Sequence, residues 1–178
     1  MLSENIIESS KKGTIKTENC TLQVYPSDSP PKESKNTSTI FLGECENILR
    51  DHYTIPPNEK LYIIKSDTVD SKSITTIVDY KVFDFQSNEL NLSLCDKCKI
   101  AVLTPITNFE GINITYAKSF SDSKIDIFNR ADSFFNDLCS PYIDDNGNDI
   151  TLSDRVKDIY KEVSFCQKGC VYNGINYA

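Results

Sequence analysis

Apolar and polar positions alternate with period two at several places between residues 20 and 104, and that alternation predicts strands with one buried face. Cys20-Thr21-Leu22-Gln23-Val24-Tyr25 is a short strand; Pro26, Pro30 and Pro31 stop it and make residues 26–37 a loop. Strand character returns at Thr39-Ile40-Phe41-Leu42. The period then changes: Cys45, Ile48, Leu49 and His52 fall at i, i+3, i+4 and i+7, which predicts a helix over 44–52 that ends before Pro56-Pro57.

The middle of the chain predicts a meander. Leu61 to Lys65 is a strand, and Asp67 to Ser73 a polar connection. Ile74 to Phe85 is a long strand whose inward set is Val78, Tyr80 and Val82; Phe83 and Phe85 have the opposite parity, so a bulge is expected near Phe83. Gln86-Ser87-Asn88 turns the chain. From Glu89 to Cys95, Leu90, Leu92 and Leu94 alternate with Asn91 and Ser93, the pattern of a half-buried antiparallel strand. Asp96-Lys97 is the next turn, and Ile100, Val102 and Thr104 carry a further strand to Pro105. Such a meander must cover its apolar face with a second sheet or with the 44–52 helix.

The flanks read differently. Residues 1–17 form a polar tail with little order expected. A short strand is expected at Ile112 to Tyr116, and a helical turn at Phe134 to Cys139 that buries two rings. Asp144 to Asp149 is a turn around Asn146-Gly147. Thr151 then caps a helix, with Asp154 three residues on and Val156, Ile159, Tyr160 and Val163 along one face. The fold class is therefore mainly β: an antiparallel, sandwich-like domain over 18–118 with a short packed helix, then a small helical, cysteine-bearing appendage over 119–178 that reads as truncated.

Composition narrows the function. Hydrophobic residues are 39% of the 178, below the roughly 45–50% of average globular chains, a figure that also counts glycine, and small polar residues fill the difference. Nineteen basic against twenty-six acidic residues give a net charge of −7, which repels a phosphate backbone, so no nucleic-acid partner is expected. No apolar run reaches the length of a spanning helix, and Met1 leads into no apolar signal region. Any membrane attachment is expected through regions outside this chain.

Seven cysteines, Cys20, Cys45, Cys95, Cys98, Cys139, Cys166 and Cys170, are the main candidate chemistry, and all are disulfide candidates. Their odd number points to a partner past Ala178. Cys95-Asp96-Lys97-Cys98 can be read three ways. A redox pair needs a strand meeting a helix N-terminus, whereas the segment that follows here reads as a strand. A zinc site would combine Cys95 and Cys98 with Cys166 and Cys170 across a long gap. The structural reading puts Cys95 and Cys98 in separate disulfides; Cys45 to Cys95 is one such pairing, tying the 44–52 helix to a strand end.

Other motifs weigh less. His52 is the single histidine, and near a helix C-terminus it suits the dipole better than it suits catalysis. Counted from Asp144, the sixth and twelfth positions of a calcium loop are Asp149 and Arg155, not the glycine and acid required. Asn19, Asn36, Asn91 and Asn113 head N-glycosylation sequons, Asn91 on the polar face of its strand and Asn36 in a loop. No catalytic residue, metal or cofactor is expected.

Phe41-Leu42-Gly43-Glu44-Cys45-Glu46-Asn47-Ile48-Leu49-Arg50, Tyr62 to Asp67, Val78 to Val82, Leu90 to Cys95, Phe134 to Cys139 and Asp149 to Arg155 with Cys166 and Cys170 resemble the ectodomain modules of large cysteine-rich surface membrane proteins of protists. The likeness spans residues 38–174 and lies in style and segment order. It implies an exported location, disulfides, and a longer, membrane-anchored protein; Cys98 departs from the single cysteine expected at that strand end. The sequence thus predicts a non-enzymatic extracellular glycoprotein module for adhesion, recognition or spacing, with an unknown protein or glycan ligand. The rival is a zinc-binding or thiol-redox module in a reducing compartment.

Overall fold

The structure is a computed structural model that describes residues 13–31, 37–69, 74–107, 112–139, 141–144 and 146–177. It is mainly β and antiparallel, with a small packed helix, and divides into two compact units, Met1–Asn108 and Phe109–Ala178. The expected boundary after residue 118 falls instead inside a helix, Ile114–Asp122.

The first unit holds strands β1 (Gly13–Lys16), β2 (Cys20–Pro26), β3 (Thr39–Phe41), β4 (Tyr62–Thr68), β5 (Ile77–Phe83), β6 (Glu89–Leu90) and β7 (Ala101–Leu103), with helix α1 (Glu44–Tyr53) after β3. Five strands form one sheet in the order β1-β2-β4-β5-β6, and β3 pairs with β7 in a second. Cross-strand partners put Tyr25, Ile63 and Val82 on one face, with Val82 opposite Leu90. That face meets Ile40 of β3 and Cys45 and Leu49 of α1 in one buried cluster. Tyr25 adds a polar tie, its hydroxyl oxygen accepting the Ile40 N–H at 3.2 Å.

Four expectations change. Residues 13–16 of the expected tail are an edge strand paired with β2, while residues 1–12 lie outside the described residues. No bulge interrupts β5, whose register with β4 is continuous from Tyr62↔Phe83 to Thr68↔Ile77. Phe83 instead joins Tyr62 and Ile64 in a small apolar cluster on the opposite face, so both parities find burial. The expected strand 89–95 stops after Leu90 and becomes a 3-10 turn, Leu92–Cys95. Asn91 causes this: its Oδ1 accepts the Ser93 N–H at 3.0 Å, a local bond that displaces the ladder, while Leu92 and Leu94 still reach the core.

In the second unit, the fourth change, Ile112 to Tyr116 is not a strand. Asn113 accepts the Tyr116 N–H at 3.0 Å and caps helix α2 (Ile114–Asp122), which buries Ala117 and Phe120. A 3-10 turn, Ser133–Phe135, buries both expected rings. Thr151 caps α3 (Leu152–Asp154), which continues as a π turn over Arg155–Ile159; Tyr160 is already extended. Ile159 is buried, and Val156, Tyr160 and Val163 pack partly against the aromatic cluster. Among the described residues no helix is long and apolar enough to cross a membrane.

Candidate functional site

Gly43 determines where α1 begins. Its φ of 58° belongs to the left-handed region, and a Cβ there would lie 3.4 Å from the Lys99 carbonyl oxygen. The first turn of α1 is thereby seated beside the 95–99 turn, and Cys45 faces inward with Leu49 one turn on. Cys45 and Cys95 are joined by a disulfide with Cα atoms 5.3 Å apart, closing a sequence separation of 50. Both cysteines are core residues, 0% and 5% exposed.

Cys98 is the third member. Its N–H bonds the Cys95 carbonyl at 3.1 Å, closing the turn, and its thiol donates to the same oxygen at 3.3 Å. The three sulfurs of Cys45, Cys95 and Cys98 lie within 4.8 Å of one another. Among the described residues this is the one group of three or more His, Cys, Asp or Glu side chains whose ligand atoms gather so closely. The pairing of Cys45 with Cys95 is the one the helix and strand end suggested. Cys98, however, is a free, half-buried thiol and not a member of a separate disulfide, because the nearest sulfurs are already bonded to each other.

The remaining cysteines are dispersed. Cys20 opens β2 half-buried, and Cys139 is exposed; both are free thiols. Cys166 and Cys170 are close enough to interact: burial, with the Cys170 side chain adding to it, pushes the Cys166 thiol up to about 11, while the Cys170 thiol donates to the Gln167 carbonyl at 3.1 Å. The zinc alternative loses a ligand, since the Cys95 sulfur is bonded to Cys45 and is no thiolate.

Asn19, Asn91 and Asn113 are exposed, while Asn36 lies outside the described residues. His52 is exposed in the last turn of α1, its ring edge against Tyr53 at 4.8 Å. In the acidic turn, Asp144 accepts the N–H groups of Asn146 at 2.9 Å and Asn148 at 2.8 Å. Those amide bonds hold its carboxyl below the usual carboxylate range. Asp149 likewise accepts the Tyr142 N–H at 2.9 Å. These carboxylates bind their own backbone, as a turn requires; Asp145 lies outside the described residues.

Two polar centres were missed. Lys65 and Asp67, 1% and 2% exposed, form an ion pair inside the first unit. Asp67 also accepts the Ser38 N–H at 2.8 Å, and Lys65 donates to the Ser38 hydroxyl at 3.2 Å. Burial lowers the Lys65 amine from its ordinary range despite the partner. The signal was parity, since Ile63, Lys65 and Asp67 share one face of β4. In the second unit Arg155 is buried over the Phe134 ring, 5.1 Å from its centroid. It donates to the carbonyls of Ile150 at 2.8 Å and Phe134 at 3.3 Å.

No protein-family model, no curated protein and no solved structure matches the chain.

Proposed function

We propose that this chain is a non-enzymatic module on the extracellular face of a larger surface membrane protein, serving adhesion, recognition or spacing toward a protein or glycan ligand. The observation that carries the reading is the Cys45–Cys95 bond at the centre of the first unit's core. A bond that closes a separation of 50 residues contributes about 4 kcal/mol by chain entropy, a gain that persists only where thiols are oxidised. Exposed sequon asparagines on a chain short of apolar residues fit the same setting, as does the resemblance to cysteine-rich protist surface proteins.

Mass mapping of the protein isolated from its native cell, with free thiols alkylated before any reduction, tests the proposal. It expects Cys45 and Cys95 unlabelled and joined, with glycan mass on at least one of Asn19, Asn91 and Asn113. Seven alkylated thiols, or stoichiometric zinc, would sink it and favour the reducing-compartment module.

A further inference from the structure

We propose that Cys98 is an internal nucleophile for the Cys45–Cys95 disulfide, making this three-sulfur cluster a thiol–disulfide exchange centre. Three features of the geometry point the same way. The Cys98 sulfur lies within 4.8 Å of both bonded sulfurs, so attack needs only a side-chain rotation and no encounter between separate molecules. Cys98 is half-buried where its two potential partners are in the core, so solvent reaches the thiol that must lose a proton. The backbone turn that a Cys95–Cys98 bond would span is already closed, by the Cys98 N–H on the Cys95 carbonyl.

The direction of exchange follows from the leaving group. Cys45 sits in the first turn of the ten-residue helix α1, where the helix dipole favours a thiolate. The Cys98 thiol gives its proton to water, and its thiolate attacks the Cys95 sulfur. A Cys95–Cys98 bond forms, the Cys45–Cys95 bond breaks, and Cys45 leaves as a thiolate that takes up a proton. One disulfide and one thiol stand on each side, so no oxidant or reductant is consumed. The product frees α1 from the 92–95 turn and replaces a long covalent loop with a local one. This inference goes beyond the surface-module reading and does not depend on the ligand.

The test uses the full chain with Cys20, Cys139, Cys166 and Cys170 replaced by serine, held without added thiol under anaerobic conditions. Samples are quenched in acid, alkylated in denaturant, digested at acid pH and mapped without reduction. Starting from the Cys45–Cys95 form, which stays the major species, a minor fraction of the label is expected to move from Cys98 to Cys45 as a matching amount of Cys95–Cys98 peptide appears. Below the thiol pKa the rate should rise about tenfold per pH unit, since the thiolate is the attacking species. Label that stays entirely on Cys98 over a day, or that moves to Cys95, overturns the proposal. A rate indifferent to pH does the same. In Cys98→Ser, where the nucleophile is absent, Cys45 should stay unlabelled at every time; a labelled Cys45 there would also overturn it. Because the main readout is made on protein that retains Cys98, it does not hinge on the folding of that variant.

Discussion

The first unit satisfies its backbone with a ladder and its core with alternation, whereas the second does both largely with individual side chains. Across β2, β4 and β5 the register is uninterrupted, so every inward residue of one strand meets an inward residue of the next. In the second unit helix α2 runs only nine residues, and rings pack edge to face, Phe120 on Phe134 at 5.9 Å and Phe134 on Phe135 at 5.0 Å. Polar side chains there hold the loops. Asp132 accepts the N–H groups of Asp126 at 3.0 Å and Phe134 at 2.9 Å, and Tyr172 donates to Asp126 at 2.9 Å. A sheet spreads its stability over many equivalent bonds, so its weak points are the polar groups it buries. A unit built from loops concentrates stability in a few capping and bridging residues.

The two units nonetheless share one local device. In Asp84-Phe85-Gln86-Ser87-Asn88, Asp84 accepts the N–H groups of Gln86 and Asn88, both at 2.8 Å, as Asp144 does in the later turn. The fourth residue has positive φ in both, 69° at Ser87 and 83° at Gly147. The same turn closes a strand pair in one unit and a short isolated bridge, Ile143↔Asp149, in the other.

The contrast is sharpest at the buried ion pair. Asp67→Ala leaves the Lys65 ammonium without its acid and should cost about 3–5 kcal/mol, read as lost amide protection across β4 in hydrogen exchange. Lys65→Met with Asp67→Leu should restore only part of it, because the buried Ser38 N–H stays unpaired, and α2 protection should not change in either case. Equal loss in both units would break the comparison. Reducing the Cys45–Cys95 bond should cost the first unit about 4 kcal/mol by the same measurement.

In the second unit Arg155→Met removes a guanidinium that bridges Ile150, Phe134 and Asp149. A loss of about 2–3 kcal/mol is expected, because buried carbonyls lose charged donors. It should appear in the 112–135 amides and spare β4. An effect under about 0.5 kcal/mol would show that the rings alone suffice.

Alkali should weaken both units next, since burial raises hydroxyls in each, Tyr25 in the first and Tyr172 in the second. Burial pushes the Tyr25 hydroxyl up to about 12 from its ordinary 10.0. The folded chain therefore keeps a proton that the unfolded chain releases, and stability falls as pH rises from 10 toward 12, by about 2–3 kcal/mol. Lys65 acts with the opposite sign. Its lowered pKa is a penalty at neutral pH that is relieved as pH approaches 10.5, so the Tyr25 part is read as the difference from Tyr25→Phe. No alkaline difference between the two proteins would refute the assignment. The smallest effect is Ser87→Gly, which relieves the positive φ and should stabilise the first unit by up to about 1 kcal/mol, read as a higher melting point.

Where neighbours in sequence are neighbours in space, the residues announce the structure. The spacing of Cys45 and Leu49 marks α1, Thr151 marks the start of α3, and Asp144 to Asp149 marks a turn. Periodicity failed where a single asparagine redirected the backbone. Asn91 ended a strand whose alternation was clean, and Asn113 began a helix where a strand was expected. Each did so through one side-chain bond to an amide two or three residues on, which competes with a ladder whose partners are far away in sequence.

By itself the sequence determined a mainly β chain with a short helix, its acidic charge, and the parity that turns Val78 and Val82 inward. Each follows from local spacing or from counting. The tertiary structure alone decided that Phe83 is buried on the far face of its sheet, that Lys65 finds Asp67 and Ser38 in the core, and that Cys98 stands free beside a completed disulfide. Those outcomes depend on which distant segments come together, and that is governed by the packing of β3, α1 and the 92–98 turn against the sheet rather than by any run of residues.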